Sequence, residues 1–122
     1  MIVIEKAKAI ALNLNNPNRV LDVVPDSRQL TFNNQQLVVT PHTIPASRKL
    51  RMLGIKVPSP ILHYYDWCGE FTPYEHQKMT SAFLTMHDKA LVLNEIGTGK
   101  TQSALWACDY LMSIGCIKKV LI

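Results

Sequence analysis

The sequence predicts an α/β protein in two parts, a small mixed α+β unit followed by the start of a second unit with a parallel sheet. Three observations predict it. An apolar run at residues 90–93 leads directly into a glycine loop and an amphipathic helix, the order of a βα unit. Alternating apolar residues flank polar pairs between Leu30 and Val39, as in a hairpin. Pro58 and Pro60, two prolines in three positions, mark an extended connector between the parts.

Composition supports a folded chain. Of the 122 residues, 48% are hydrophobic and 18% charged, enough apolar surface to bury a core. No apolar run approaches the roughly 18 to 20 residues that cross a bilayer, and Glu5 and Lys6 place charge too early for a secretory leader. Three cysteines, Cys68, Cys108 and Cys116, form neither an even set nor a C-x-x-C pair, so a disulfide framework and a zinc site are not indicated and a reducing cytoplasm is expected. The net charge of +4 lies wholly in the first part: residues 1–66 hold eight basic and four acidic side chains, whereas residues 67–122 hold five of each.

In chain order, residues 1–14 read as a strand with Ile10, Leu12 and Leu14 on one face, although Ala7, Ala9 and Ala11 keep a helix open. Asn15-Asn16-Pro17-Asn18 is a turn. Leu30 and Phe32 before Asn33-Asn34, with Leu37 and Val39 after Gln35-Gln36, give a hairpin that Pro41 ends. A helix over 45–53 carries Arg48, Lys49 and Arg51 and stops at Gly54. The connector follows, and the two units are taken as 1–66 and 67–122. Thr72-Pro73-Tyr74-Glu75 writes a helix start, with Thr72 accepting from the first turn and Glu75 reaching back, so a helix is predicted over 73–86. Residues 90–93 read as a strand buried on both faces of a parallel sheet. The helix over 100–112 presents Ala104, Leu105, Ala107, Cys108, Leu111 and Met112, Gly115 ends it, and residues 118–122 open a second strand.

The chemistry is concentrated in Asn94-Glu95-Ile96-Gly97-Thr98-Gly99-Lys100-Thr101. Backbone amides turned inward by Gly97, Thr98 and Gly99 make an anion cradle to which the first turn of the next helix adds its own free amides. Lys100 supplies a charge for β and γ phosphates, and the Thr101 hydroxyl suits a phosphate-bound magnesium. Asn94 stands where the G-x-x-x-x-G-K-[ST] pattern has glycine.

This block resembles the first ATPase motif of superfamily 2 helicases and DNA translocases, especially the Swi/Snf-like branch, where an acidic or amide residue followed by Glu commonly opens the loop. Pro73-Tyr74-Glu75-His76-Gln77 is similar to the short motif in which a glutamine reads adenine, and Gln77 precedes Lys100 by 23 residues, a spacing similar to the family's. An amide offers the donor and acceptor that match adenine N7 and N6; a solvated helix glutamine is the other reading. Leu50-Arg51-Met52-Leu53-Gly54-Ile55, Pro58-Ser59-Pro60 and Tyr65-Asp66-Trp67 look like predicted ATP-dependent helicases of tailed phages.

The resemblance covers about residues 50–122, most strongly from Pro73. It implies a P-loop RecA-like motor domain with an incomplete parallel sheet, behind a small accessory domain. It also implies ATP and magnesium as ligands, nucleic acid, DNA before RNA, as partner, and a bacterial host cytoplasm. Lys100 would be the catalytic residue, and Gln77, Gly97, Thr98, Gly99, Lys100 and Thr101 the nucleotide contacts. Hydrolysis in such proteins uses a later Asp-Glu pair and arginines of a second domain, which have no candidate after Lys119; the chain reads as the front of a longer protein, inactive in hydrolysis alone. A small module that only binds nucleotide or phosphate is the alternative. A nucleotide kinase would need a lid arginine set after the loop.

Other residues carry two readings. Arg48, Lys49 and Arg51 either meet DNA phosphates or complement a helix dipole and face water. Phe71, Tyr74 and Trp67 either stack on adenine or are core. His76 and His87 are read as satisfied or solvated, and the cysteines as small buried residues.

Overall fold

The computed structural model describes residues 1–121, which fold as a mixed α and β chain with one four-stranded antiparallel sheet and five α-helices. Two compact units, Met1–Val57 and Pro58–Ile122, meet in the proline connector.

In the first unit the opening stretch is two strands, β1 (Ile2–Ile4) and β2 (Ala9–Leu12), and not one. A 3-10 turn over Glu5–Ala7 reverses the chain, closed by Lys8 at φ 47 with its amide on the Glu5 carbonyl at 3.1 Å. The turn expected at Asn15 to Asn18 leads into a helix the sequence pattern does not announce, α1 (Asn18–Val23), a single buried stripe of Val20 and little more. The hairpin is present as β3 (Arg28–Phe32) and β4 (Gln35–Pro41), with Phe32 opposite Gln35. Asn33 and Asn34 form its two-residue turn at φ 50 and 62, the left-handed pair that asparagine tolerates best after glycine.

The sheet order is β1-β2-β4-β3, antiparallel throughout. Ile10 pairs with Thr40 and Leu12 with Val38, so the period-two pattern places all four on one buried face. On the other face Ile2, Ile4, Leu30 and Phe32 remain exposed. Helix α2 (Ile44–Met52) is capped by Thr43, whose Oγ1 accepts the Ala46 amide, and it buries Ile44 and Leu50. Gly54 at φ 84 ends it, as the sequence indicates.

The second unit is helical. A short turn of helix, α3 (Ile61–Tyr64), packs on α4 (Glu75–Met86), which packs along α5 (Lys100–Ser113). Small side chains let α4 and α5 approach: Ser81 Oγ donates to the Ser103 carbonyl at 2.8 Å, and both residues are buried. Ser59 Oγ donates to Thr85 Oγ1 at 2.6 Å, and Thr85 passes its own proton to the Ala82 carbonyl at 2.7 Å. The remaining face of α5 joins an aromatic cluster in which Trp67 meets Trp106 edge-on at 5.5 Å and Tyr65 meets Tyr110 at 5.7 Å.

Several expectations are corrected. The sheet is antiparallel and lies in the first unit, and residues 90–93 form no strand; Leu91 and Leu93 are exposed, with no ladder beside them. Residues 118–121 are likewise not a strand, and Ile122 lies outside the described residues. An extended segment becomes a strand only when a neighbour accepts its hydrogen bonds, and these two segments do not pair. Helix α4 starts two residues late, with Tyr74 and not Thr72 at its cap. The buried stripe of α5 is Ser103, Trp106, Ala107 and Tyr110, while Leu105 and Met112 are exposed. Cys68 and Cys116 are exposed and Cys108 is half-buried, so none is a core residue. No helix among the described residues is long and apolar enough to cross a membrane.

Candidate functional site

The loop between residues 94 and 100 is shaped by two left-handed glycines, Gly97 at φ 81 and Gly99 at φ 74, the second of which caps α5. These backbone angles strain any residue with a Cβ. Inside the loop the Lys100 ammonium donates to the Asn94 carbonyl at 2.7 Å and the Glu95 carbonyl at 3.2 Å. Thr98 Oγ1 donates to the Glu95 carbonyl at 2.8 Å and tightens the same turn. The first amide of α5 to find a helical acceptor is that of Ser103, on the Gly99 carbonyl at 3.1 Å. The amides of Lys100, Thr101 and Gln102 therefore have no intrahelical acceptor, and they carry the positive end of a 14-residue helix.

Asn94 explains the departure from the glycine pattern. Its backbone is not left-handed, its carbonyl holds Lys100, and its Nδ2 donates to Thr80 Oγ1 at 3.3 Å, so a side chain is useful there.

Helix α4 braces the loop through three neighbouring residues. His76 Nε2 donates to the Thr98 carbonyl at 3.0 Å, which fixes the Nε2-protonated tautomer if the ring is neutral. Thr80 takes the Asn94 amide and donates to the His76 carbonyl at 2.8 Å. Gln77 Oε1 accepts the Tyr74 amide at 2.9 Å, and its Nε2 lies where a Cβ on Gly99 would collide with it. The glutamine that the sequence analysis read as an adenine contact is thus at the loop, with its Oε1 on the Tyr74 amide and its Nε2 packed against Gly99.

Beside the loop a cleft of about 480 Å3 is lined by residues 70–74 together with Gln77 and Gln102. Phe71 and Tyr74 are 68% and 70% exposed, so they are not core, and Tyr74 stacks on His76 with rings 9° apart. Trp67 goes elsewhere, into the aromatic cluster. There Tyr65 donates to Asp109 at 2.6 Å, and burial together with that bond pushes its hydroxyl well above the ordinary range. Burial also pushes Tyr110 up to about 12, with Tyr64 and Cys116 adding to the shift.

The groups that could hold a phosphate chain are the first-turn amides of α5 and Lys100, whose ammonium lies inside the two-glycine loop on the Asn94 and Glu95 carbonyls. Thr101 is exposed in the first turn of α5; among the described residues no cluster of three His, Cys, Asp or Glu side chains forms a metal site of its own. Arg48, Lys49 and Arg51 lie on α2 in the other unit; Lys49 and Arg51 are exposed, whereas Arg48 is half-buried and already engaged.

Sequence reasoning overlooked Thr80 and Gln102, whereas His76, read as satisfied or solvated, is satisfied by the Thr98 carbonyl. The missed signal is helical spacing: residues 76, 77 and 80 share one face of α4, and that face carries the motif glutamine. What the fold and site define is a mixed α and β chain bearing a two-glycine loop braced by a neighbouring helix, with a cleft beside it that exposed aromatic residues line. No family model, curated protein or solved structure matches the chain.

Proposed function

We propose that residues 94–101 bind the phosphates of ATP with magnesium, and that the chain is the nucleotide-binding front of an ATP-dependent DNA helicase or translocase of the superfamily 2, Swi/Snf-like type. The observation that carries the nucleotide reading is the placement of Lys100 within a two-glycine loop that α4 holds through His76, Gln77 and Thr80. The helicase assignment rests on the sequence resemblance and on the adjacency of the Gln77 segment to the loop. Lys100 sets the charge that the β and γ phosphates meet, the α5 amides fix their position, and Thr101 orients the magnesium that neutralises them. The first unit, with eight basic residues against Glu5, Asp22 and Asp26, would add non-specific contacts to DNA phosphates.

A second reading is a small module that binds nucleotide or phosphate without motor activity. It is favoured by the antiparallel sheet of the first unit, because the glycine loop, Lys100 and the first turn of α5 form without a parallel sheet beside them.

Calorimetric titration of the chain with ATP and magnesium tests the nucleotide reading. Lys100→Ala is expected to weaken binding by about ten- to hundredfold, the range for a hydrogen bond to a charged group. Equal affinity of wild type and variant would make the loop a structural turn. Phosphate release from ATP by this chain is expected to stay at the background rate, since the Asp-Glu pair and arginines that hydrolysis uses in the family it resembles have no candidate among residues 101–122. Turnover like that of a complete helicase would overturn that expectation.

A further inference from the structure

An antiparallel sheet with one face in water commonly turns polar residues to that side. The sheet of the first unit does not. Among the described residues, its register leaves Arg28 and Gln35 as the only polar side chains on the face that carries Ile2, Ile4, Leu30 and Phe32. Those four apolar side chains are exposed, on the side of the sheet opposite the buried Ile10 and Val38. The face is also concave. Ala9 and Ala11 of β2 are buried between their longer rung partners, Ile4 and Ile2 on one side and Pro41 and Val39 on the other. On the same face a cavity of about 400 Å3 is lined by Lys8, Ala9, Arg28, Leu30, Val39 and Pro41, with Asp26 as its acidic group.

We propose that this face docks an acidic amphipathic helix of a partner protein, with an apolar side chain seated in the cavity and carboxylates meeting Arg28. The inference is independent of the nucleotide reading, which concerns the other unit. Charge selects the occupant. Residues 1–57 hold eight basic side chains against Glu5, Asp22 and Asp26, so an acidic partner is attracted, whereas a second copy brings the same excess and is repelled. Nucleic acid and anionic lipid share the attractive sign but not the fit. Bases stack on aromatic rings, of which this face has Phe32 alone among the described residues, and a bilayer receives protruding side chains and not a trough floored by alanine. A helix meets both requirements. Its stripe at i, i+3, i+4 and i+7 lays apolar side chains along β2, and its flanks carry acids toward Arg28 on the edge strand β3.

The probe is a fluorescein-labelled synthetic helix of about 18 residues, with leucine at that spacing and glutamate elsewhere. One control replaces glutamate by lysine, and another keeps the composition but moves the leucines off the helical spacing. In anisotropy titrations of the full chain the acidic helix is expected to bind saturably and at least about tenfold more tightly than either control. Leu30→Thr with Phe32→Thr, which keeps strand-forming residues at exposed positions, is expected to weaken that binding about tenfold. Arg28→Glu is expected to reverse the preference toward the lysine peptide. Amide chemical shifts are expected to move in residues 2–12 and 28–41 and to stay in place in α4 and α5.

The inference is overturned if the acidic helix binds no better than the controls, if the double variant binds it like wild type, or if the shifts fall outside the sheet. Oligothymidylate or phosphatidylserine-rich vesicles binding in place of the helix, and lost in the double variant, would overturn it in favour of nucleic acid or lipid. A chain that sediments as a dimer until Leu30 and Phe32 are replaced would overturn it in favour of a second copy. Should the double variant unfold, the charge preference of Arg28→Glu decides alone.

Discussion

At the scale of single residues, the site is legible where chemistry dictates residue type and obscure where packing does. The left-handed turns at Gly97 and Gly99 are legible from sequence because few other residues take those angles. The role of Gln77 is not, since a glutamine amide serves as a cap, a strut or a base reader with equal chemical ease, and only its neighbours Tyr74 and Gly99 decide. Thr40 shows the same division within the core of the first unit. The sequence pattern marks Leu37 and Val39 as the apolar face of this strand, but Val38 and Thr40 are its buried residues, and the Thr40 Oγ1 finds no partner among the described residues. A buried unpaired hydroxyl costs free energy, and valine has the same shape without it. Thr40→Val is therefore expected to stabilise the chain by about 1 kcal/mol in urea unfolding. A destabilised variant would mean that the hydroxyl is satisfied in solution.

Among the elements, those with local signals are the ones that sequence identifies. The β3–β4 hairpin is written by Asn33 and Asn34, and α2 by Thr43, Pro45 and Gly54. Helix α1 has six residues and no capping side chain, so little distinguishes it from the turn before it. Helix α5 is located correctly from its glycine stop, but its buried stripe is set by Trp106 and Tyr110, whose polar tips find partners or a partly wet edge while their rings are buried.

That burial makes α5 sensitive to alkali. Tyr110 is pushed from 10.0 up to about 12, chiefly by burial and further by Tyr64 and Cys116. The folded state therefore holds the phenolic proton more tightly than the unfolded state. This contribution to stability is fully present below pH 10 and is lost as pH rises through about 12. Tyr65, raised by burial and by its bond to Asp109, acts in the same direction. The urea midpoint followed by tryptophan fluorescence is expected to fall across that window, and Tyr110→Phe is expected to fall less steeply. A midpoint that is level across the window would show that the ring is solvated.

For the whole molecule, charge is distributed by unit more sharply than by element. Residues 1–57 hold eight basic and three acidic side chains, whereas the second part of the chain is nearly balanced. Composition announces this asymmetry, but not which cations are available. Lys49 and Arg51 are exposed in the last turn of α2, where they also complement the helix dipole, while Arg48 is half-buried and engaged. If this unit contacts DNA through Lys49 and Arg51, two exposed cations on one short helix, those contacts are to phosphates and affinity must then depend on salt. Each phosphate contact contributes about 0.9 to the slope of log affinity against log salt on duplex DNA. Lys49→Ala with Arg51→Ala is thus expected to flatten that slope by roughly 2 while weakening all sequences equally. Arg48→Ala is expected to act through stability, visible as a lower urea midpoint with an unchanged slope. Fluorescence anisotropy of labelled duplex and single-stranded DNA across a salt series, on the full chain, measures both. An unaltered slope in the double variant would return α2 to a solvated surface and assign the excess charge to other residues of the unit.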